Sequence, residues 1–476
     1  MTAWVGAAPQ GAAGRDGTEG DALALQLRML GLVLLLMSPA LLGVGGSALR
    51  LLFPAAAFVL GLAFVLNDRV TAYMGLTLWL FVLTPLARRL VDLDTGYQQV
   101  NLLMLAPYAA ASASLLALPA LLRPGRVLPG GNAFLLLAGA AGYGLVLAIA
   151  GGRLSSGIFD AMRWVFPPCF ALLLVLSRPP LPVLRAHLEA FFALALILTG
   201  LYGLFQFLAA PAWDAYWMTQ SEMNSIGSPE PYRIRVFSTL NSPGSYSFYL
   251  LGGLLLIVAS RSKLWAPALA LGLVALALTL VRSTWLAFVM GLLVMAAAGP
   301  ARARPRILAL GLAAALAAPL ALAHPEVGPL IEERLTSLTR LAGDVSAFER
   351  ANGYAFLLAE LDEAPFGAGL AVNGTYASYA DGGRSRVIDG GPIEIFLALG
   401  LLGGAAYLLA IARLLFLALR QGLARPELAG YAATCIASLL LLSSGTTTIG
   451  EIGMVFWVCM AVLLSAGLRP AYNYNE

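Results

Sequence analysis

Apolar runs of about 17 to 25 residues recur along this chain with short polar joints between them, and each is long enough to cross a hydrocarbon core of about 30 Å as a helix. Fourteen such runs are read at 26–45, 50–66, 70–87, 100–122, 131–150, 161–177, 188–210, 244–260, 264–281, 284–298, 307–323, 391–413, 428–444 and 451–467. Hydrophobic residues make up 60% of the chain and charged residues 11%, where a soluble globule carries about 25% charged. The reading is all-α: a polytopic transmembrane helix bundle of about 12–14 spans. Stretches such as Ala268 to Val281 are apolar all round, which excludes the alternating strands of a membrane barrel.

The chain then divides by polarity. Residues 1–25 form a Gly/Ala-rich polar stretch with no basic start and no cleavage site, expected as a disordered cytoplasmic tail. An N-terminal bundle covers 26–210, an outer loop 211–243, further spans 244–323, a large partly helical outer loop 324–390, the last spans 391–467 and a short tail 468–476. With both termini inside, the inner segments hold 16 basic and 7 acidic residues and the outer ones 13 and 18. The bias follows the positive-inside rule, and it places the polar loops on the outer side of the membrane.

Polar residues are scarce here, so their placement is informative. The stretch from His324 to Gly391 gathers acids and arginines between two apolar runs and is read as the outer half of an active site. Arg88, Arg89, Arg153, Arg163, Arg233, Arg235 and Arg282 also fall at or near outer helix ends. Each either snorkels to lipid phosphates or meets an anion at that face.

Three places carry the sharpest signals. The apolar run from Leu264 to Ala298 would measure about 52 Å as one helix, so it must fold back, and Arg282-Ser283-Thr284 is its polar break. In the outer loop, alternation of Arg233, Arg235 and Phe237 puts two guanidinium groups on one side of an extended segment, a pair suited to pyrophosphate. Asn241 or Ser242 is placed to cap the next helix. In the large loop, Ser346-Ala347-Phe348-Glu349 is a capping box that predicts a helix over about 347–361, with Arg350 in its first turn, where an incoming anion would relieve the dipole. Pro365 to Gly369 breaks the chain, and the segment to Gly383 is read as a flexible cover. Arg384, Arg386 and Asp389 arrive together before the next span; Asp389 serves as a base or holds an arginine, and Glu394 follows inside the helix mouth.

Other chemistries find less support. The three cysteines lie inside apolar runs, and His187 and His324 lack metal-like neighbours, so no metal or cofactor is implied. There is no Walker-type loop, no internal repeat of the carrier kind and no nucleic-acid-binding feature.

At these residues the chain resembles the O-antigen ligase and polysaccharide polymerase superfamily of bacterial inner membranes. The resemblance covers about Arg233 to Gly404. It rests on Arg-Val-Phe-Ser-Thr-Leu-Asn-Ser-Pro-Gly (235–244), Leu-Val-Arg-Ser-Thr-Trp-Leu (280–286), Arg-Leu-Thr-Ser-Leu (334–338), Asp-Val-Ser-Ala-Phe-Glu-Arg (344–350), Pro-Phe-Gly-Ala-Gly-Leu (365–370), Ile-Asp-Gly-Gly (388–391) and Leu-Gly-Leu-Leu-Gly (399–403). In the first half, Arg88-Arg89 and Gly96-Tyr97-Gln98 are similar to exopolysaccharide polymerases.

The resemblance implies a metal-independent, inverting glycosyltransferase using an undecaprenyl-pyrophosphate-linked oligosaccharide as donor and acceptor at the periplasmic face. Arg235 and Arg282 match family arginines and would bind pyrophosphate with Arg350, supported by Arg233, Arg384, Arg386, Arg88, Arg89 and Asn241. Asp389 would be the base. Where the ligases carry a histidine this chain has Asp389, which favours polymerisation of repeat units for exopolysaccharide or O-antigen over ligation to a lipid or protein. The rival of another class is a flippase or exporter of the same lipid-linked glycan. The implied pathway also supplies possible partners, a chain-length regulator and a glycan flippase.

Overall fold

The computed structural model describes residues 15–123, 128, 130–221, 223–326, 328–329, 332, 345–373 and 390–468. Among them the chain is an all-α bundle of sixteen helices. They are α1 (Arg15–Leu41), α2 (Leu49–Leu66), α3 (Val70–Thr95), α4 (Ala106–Ala111), α5 (Gly131–Ala150), α6 (Leu154–Ser177), α7 (Leu181–Ala209) and α8 (Ala212–Ser221). Then come α9 (Pro243–Ala259), α10 (Trp265–Leu278), α11 (Arg282–Ala298), α12 (Ala303–Ala323), α13 (Val345–Glu363), α14 (Gly391–Ala424), α15 (Ala429–Leu440) and α16 (Gly450–Gly467).

Among the described residues ten segments are long and apolar enough to cross a membrane. Helices α9, α10 and α11 are apolar but shorter, at 17, 14 and 17 residues. Most of α3 and α16 is buried, whereas α12 buries only Ala303. The bundle therefore has a centre around α3, α6, α9 and α16, and a rim whose leucines face outward, as a lipid-solvated surface requires.

Three elements depart from the sequence reading, each for a local reason. Helix α3 runs on to Thr95, eight residues beyond the expected end, because Asp92 inside it neutralises two arginines. Arg88 and Arg89 thus lie within a buried helix instead of at its tip. The fourth apolar run is α-helical only over Ala106–Ala111, and 3-10 turns occupy Leu102–Leu105 and Ser112–Leu122. There the Ser112 and Ser114 hydroxyls donate to carbonyls three residues back, at 2.7 and 2.6 Å, and Pro119 lacks a donor.

The third departure is in the large loop. Residues 365–371 form a ribbon that dips between α5 and α14, while 374–383, most of the expected cover, lie outside the described residues. Helix α14 is broken at Gly400 (φ 68°, ψ −172°), about 14 Å along its length by the helical rise. The ribbon fills that break. Its Ala368 and Gly369 N–H groups donate to Leu397 and Ala398 carbonyls (2.9 Å each), Leu401 N–H donates to Pro365 (2.9 Å), and Leu370 N–H donates to Gly144 of α5 (2.9 Å). Tyr143 and Arg153 donate to the Phe366 and Ala368 carbonyls. Non-helical backbone is tolerated inside an apolar bundle only when its polar groups are satisfied this way. The fit is close: a Cβ at Gly367 would stand 2.4 Å from Gly400 N, so neither position admits a side chain.

Candidate functional site

A cavity of about 1530 Å³ opens at the end of the bundle where both long polar stretches lie. That exceeds the roughly 300–1,000 Å³ of a small-molecule pocket. The starts of four helices line it: Ser242 to Ser245 at α9, Val281 and Ser283 at α11, Gly390 and Glu394 at α14, and Thr446 and Glu451 at α16. Helix α13 adds one face, with Phe348, Asn352, Phe356 and Glu360 following each other at four-residue spacing. An adjoining stripe of the helix is pinned to α14 through Leu357, Ile393 and Leu397.

Helix starts present unpaired N–H groups and a partial positive charge, so their convergence favours an anion. The four are not equivalent. Helices α14 and α16 carry Glu394 and Glu451 in their first turns, whereas α9 and α11 carry no acid there. Ser242, the α9 cap, accepts from Ser245 N at 3.1 Å. Helix α11 has no side-chain cap and begins with Arg282 itself.

Arg235 lines the same part of the cavity and is fixed by main-chain carbonyls. Its guanidinium donates to Ser225 O (2.8 Å), Thr279 O (3.2 Å) and Leu280 O (3.4 Å). Thr279 and Leu280 (φ 57°) form the fold-back between α10 and α11, so Arg235 staples the turn from which half-buried Arg282 emerges. Asn241 also faces the cavity, its amide 3.8 Å from Met104 Sδ. Arg88 reaches the lining from α3, held by Asp92 (3.1 Å) and the Gln98 carbonyl (2.7 Å) and lying over the Tyr97 ring. The structure therefore brings Arg88, Arg235, Asn241 and the two neighbours of Arg282 to one cavity.

Arg89 goes elsewhere. Its side chain is fully buried, 3.2 Å from the Asp214 carboxylate, donates to Ser238 O at 2.6 Å and lies over the Phe237 ring. Asp214 also accepts from Gln206 (2.7 Å) and Tyr202 (2.9 Å). Burial pushes the Asp214 carboxyl above the ordinary carboxylate range, against the pull of Arg89 and these donors. This network docks α8 and the outer loop onto α3 and α7. Arg233 is not in the cavity lining either: 69% exposed, it pairs with Glu230 at 3.4 Å. The expected side-by-side arginine pair does not form, because Arg233 belongs to a turn in which Ser228 N–H donates to its carbonyl and its own N–H donates to Glu230. Only Arg235 continues into the bundle.

Beside the carboxylate-bearing helix starts lies a group that the sequence reading did not assemble. Arg163 of α6 pairs with Asp160 (2.7 Å) and with Glu394 (3.2 Å). The other Asp160 oxygen accepts from Ala371 N of the ribbon at 2.9 Å. Tyr108 donates to Glu451 at 2.9 Å. These contacts join residues up to 343 positions apart; the sequence signal for them is only an acid in the first turn of two apolar helices.

Arg384, Arg386 and Asp389 lie outside the described residues. Arg350 falls in α13, its side chain likewise outside them. No protein-family model matches the chain, and no curated protein does.

Proposed function

We propose that the protein is a polysaccharide polymerase, joining polyprenyl-pyrophosphate-linked oligosaccharide repeat units at the periplasmic face of a bacterial inner membrane. The observation that carries this reading is the Arg235 staple beside the acid-free starts of α9 and α11, all at the wall of a cavity large enough for more than one sugar. Fixed guanidinium groups and helix dipoles in a partly dry site stabilise charge where it develops. The charge here develops on a departing diphosphate.

In the proposed step the acceptor sugar hydroxyl oxygen attacks the anomeric carbon of the donor glycan. The bond from that carbon to the diphosphate oxygen breaks, and the polyprenyl diphosphate leaves with the electron pair. Arg235 and Arg282 take up its charge, with Arg88 and Asn241 as further contacts. The hydroxyl proton passes to a base, for which Asp389 is proposed because it precedes Gly390, a residue of the cavity wall. One displacement inverts the anomeric carbon. A chain-length regulator and a glycan flippase are the proposed partners.

The test uses proteoliposomes supplied with the lipid-linked oligosaccharide of the same cells, with and without chelator, products being resolved by size. A ladder of lengthening lipid-linked glycan that survives chelation is the expected result. Consumption of donor only with a separate lipid or protein acceptor would make it a ligase, and no consumption at all would overturn the reading in favour of transport.

A further inference from the structure

The carboxylates of the cavity lining gather on one side, where Arg163 also lies, closed on Asp160 and Glu394 and outnumbered by the acids around it. Arg235 and the acid-free helix starts come from 235–283, while the lining carboxylates described are Glu360, Glu394 and Glu451, from α13, α14 and α16. Two of the three differ in what they have left to offer. Glu394 is buried and closed on Arg163. Glu451 is exposed, although most of the helix it opens is buried, and its Oε2 is held by the Tyr108 hydroxyl. Tyr108 is itself wedged against the Phe81 ring, 5.2 Å away and edge-on, which fixes the direction of its hydroxyl. Gly450 makes the arrangement possible: at φ 69° it brings the helix start so close that a Cβ would stand 3.2 Å from Arg163 Nε and 3.4 Å from Tyr108 Oη. A favourable dipole accounts for an acid in a first turn. It does not account for a phenol aligned on that acid in the wall of a large cavity.

We infer that Glu451, oriented by Tyr108, binds the terminal sugar of the acceptor through its hydroxyl groups and determines which sugars are accepted there. This rests on the function proposed above. A carboxylate with one oxygen held and its edge open accepts hydrogen bonds from a sugar diol, and hydrogen bonds to a charged group are the stronger kind. Its charge repels a second carboxylate or a phosphate. The diphosphate of the donor is thereby kept to the Arg235 part of the cavity, and the acceptor's last sugar is a neutral or amino sugar, not a uronic acid.

The probe is the repeat-unit oligosaccharide released by mild acid from the lipid-linked pool, labelled at its reducing end, together with the same oligosaccharide oxidised to a terminal uronate. Binding is measured to the purified full chain in nanodiscs. Wild type should bind the first and reject the second; Glu451→Gln should weaken the first by about tenfold or more, as loss of a charged hydrogen bond implies. Glu451→Lys should reverse the preference. Tyr108→Phe, which keeps the charge and loses only its orientation, should weaken binding by a few-fold and leave the uronate rejected. Equal binding by wild type and Glu451→Gln, or no binding by wild type, would overturn the inference. Farnesyl pyrophosphate binding, compared between wild type and Arg235→Ala, reads the other part of the cavity. If that comparison shows no difference while Glu451 behaves as described, it is the pyrophosphate reading that fails.

Discussion

Arg88 and Arg89 are neighbours on one helix, and they end in opposite surroundings. Arg89 is sealed in a dry network with Asp214, Gln206 and Ser238, while Arg88 stands at the wall of a cavity that Arg235 also lines. A hundred degrees of helical rotation separates a residue that holds the fold together from one that faces whatever enters. An arginine in an apolar chain is therefore evidence of a nearby anion, and the structure decides whether that anion is part of the chain. For Arg89 it is Asp214 and for Arg88 it is Asp92; for Arg235 and Arg282 we propose a diphosphate.

The comparison breaks most visibly at the sealed pair. Arg89→Ala leaves Asp214 buried without its cation and should cost about 3–5 kcal/mol, read as a loss of monodisperse protein on heating in detergent. The double replacement Arg89→Met with Asp214→Leu should recover most of that, since a matched apolar pair is close to neutral. At the cavity the sign of the evidence changes. Arg282→Ala should retain membrane abundance yet lower polymer synthesis by about 10²–10³-fold, the effect of removing one fixed donor from a charge-stabilising site. Arg235→Ala, which also frees the turn at Thr279 and Leu280, should lower synthesis as far with a loss of thermal stability beside it. Normal synthesis with either variant would sink the proposed role.

Smaller effects sharpen the boundary between the two regions. Gly367→Ala forces a methyl group against Gly400 and should cost about 1–3 kcal/mol by overpacking, with added strain at φ 85°. Thermal stability and activity should fall together here, because the ribbon holds Asp160 and through it Arg163. Arg233→Ala removes an exposed pair worth about 0–1 kcal/mol and should change both stability and synthesis by less than about threefold. A large loss of synthesis would return Arg233 to the site.

How much of this could be read from the sequence depends on the range of the interactions involved. Hydrophobic period and length are local, and each of the fourteen apolar runs contains helix. The Ser242 cap follows from a signal within four residues of its effect; the helix expected over 347–361 is present but already includes Val345 and Ser346, so Ser346 lies inside it and not at its cap. The fold-back before Arg282 follows from length alone. Arg233 and Arg235 look alike in an alternating segment, but Arg233 sits in a turn with Ser228 and Glu230 and pairs with the Glu230 carboxylate, so only Arg235 reaches the bundle. The Arg163–Glu394 and Tyr108–Glu451 contacts span 231 and 343 residues, and nothing in either local segment announces its partner. The ribbon's place is hidden for a related reason: Pro and Gly mark an irregular backbone equally well in a solvent loop and in a slot between helices.

That ribbon also constrains the order in which the molecule can be made. Its donors and acceptors are completed by Leu397, Ala398 and Leu401, residues synthesised some thirty positions after it. Until α14 leaves the ribosome, the segment has only its α5 and α6 partners, so it cannot settle and Asp160 lacks a stable clasp on Ala371. The cavity wall is then among the last parts of the molecule to form, after most of its helices have been inserted. An apolar bundle without a finished site precedes the working protein on every chain, and arrest of synthesis before Gly391 should leave the N-terminal helices in the membrane with residues 365–371 open to protease.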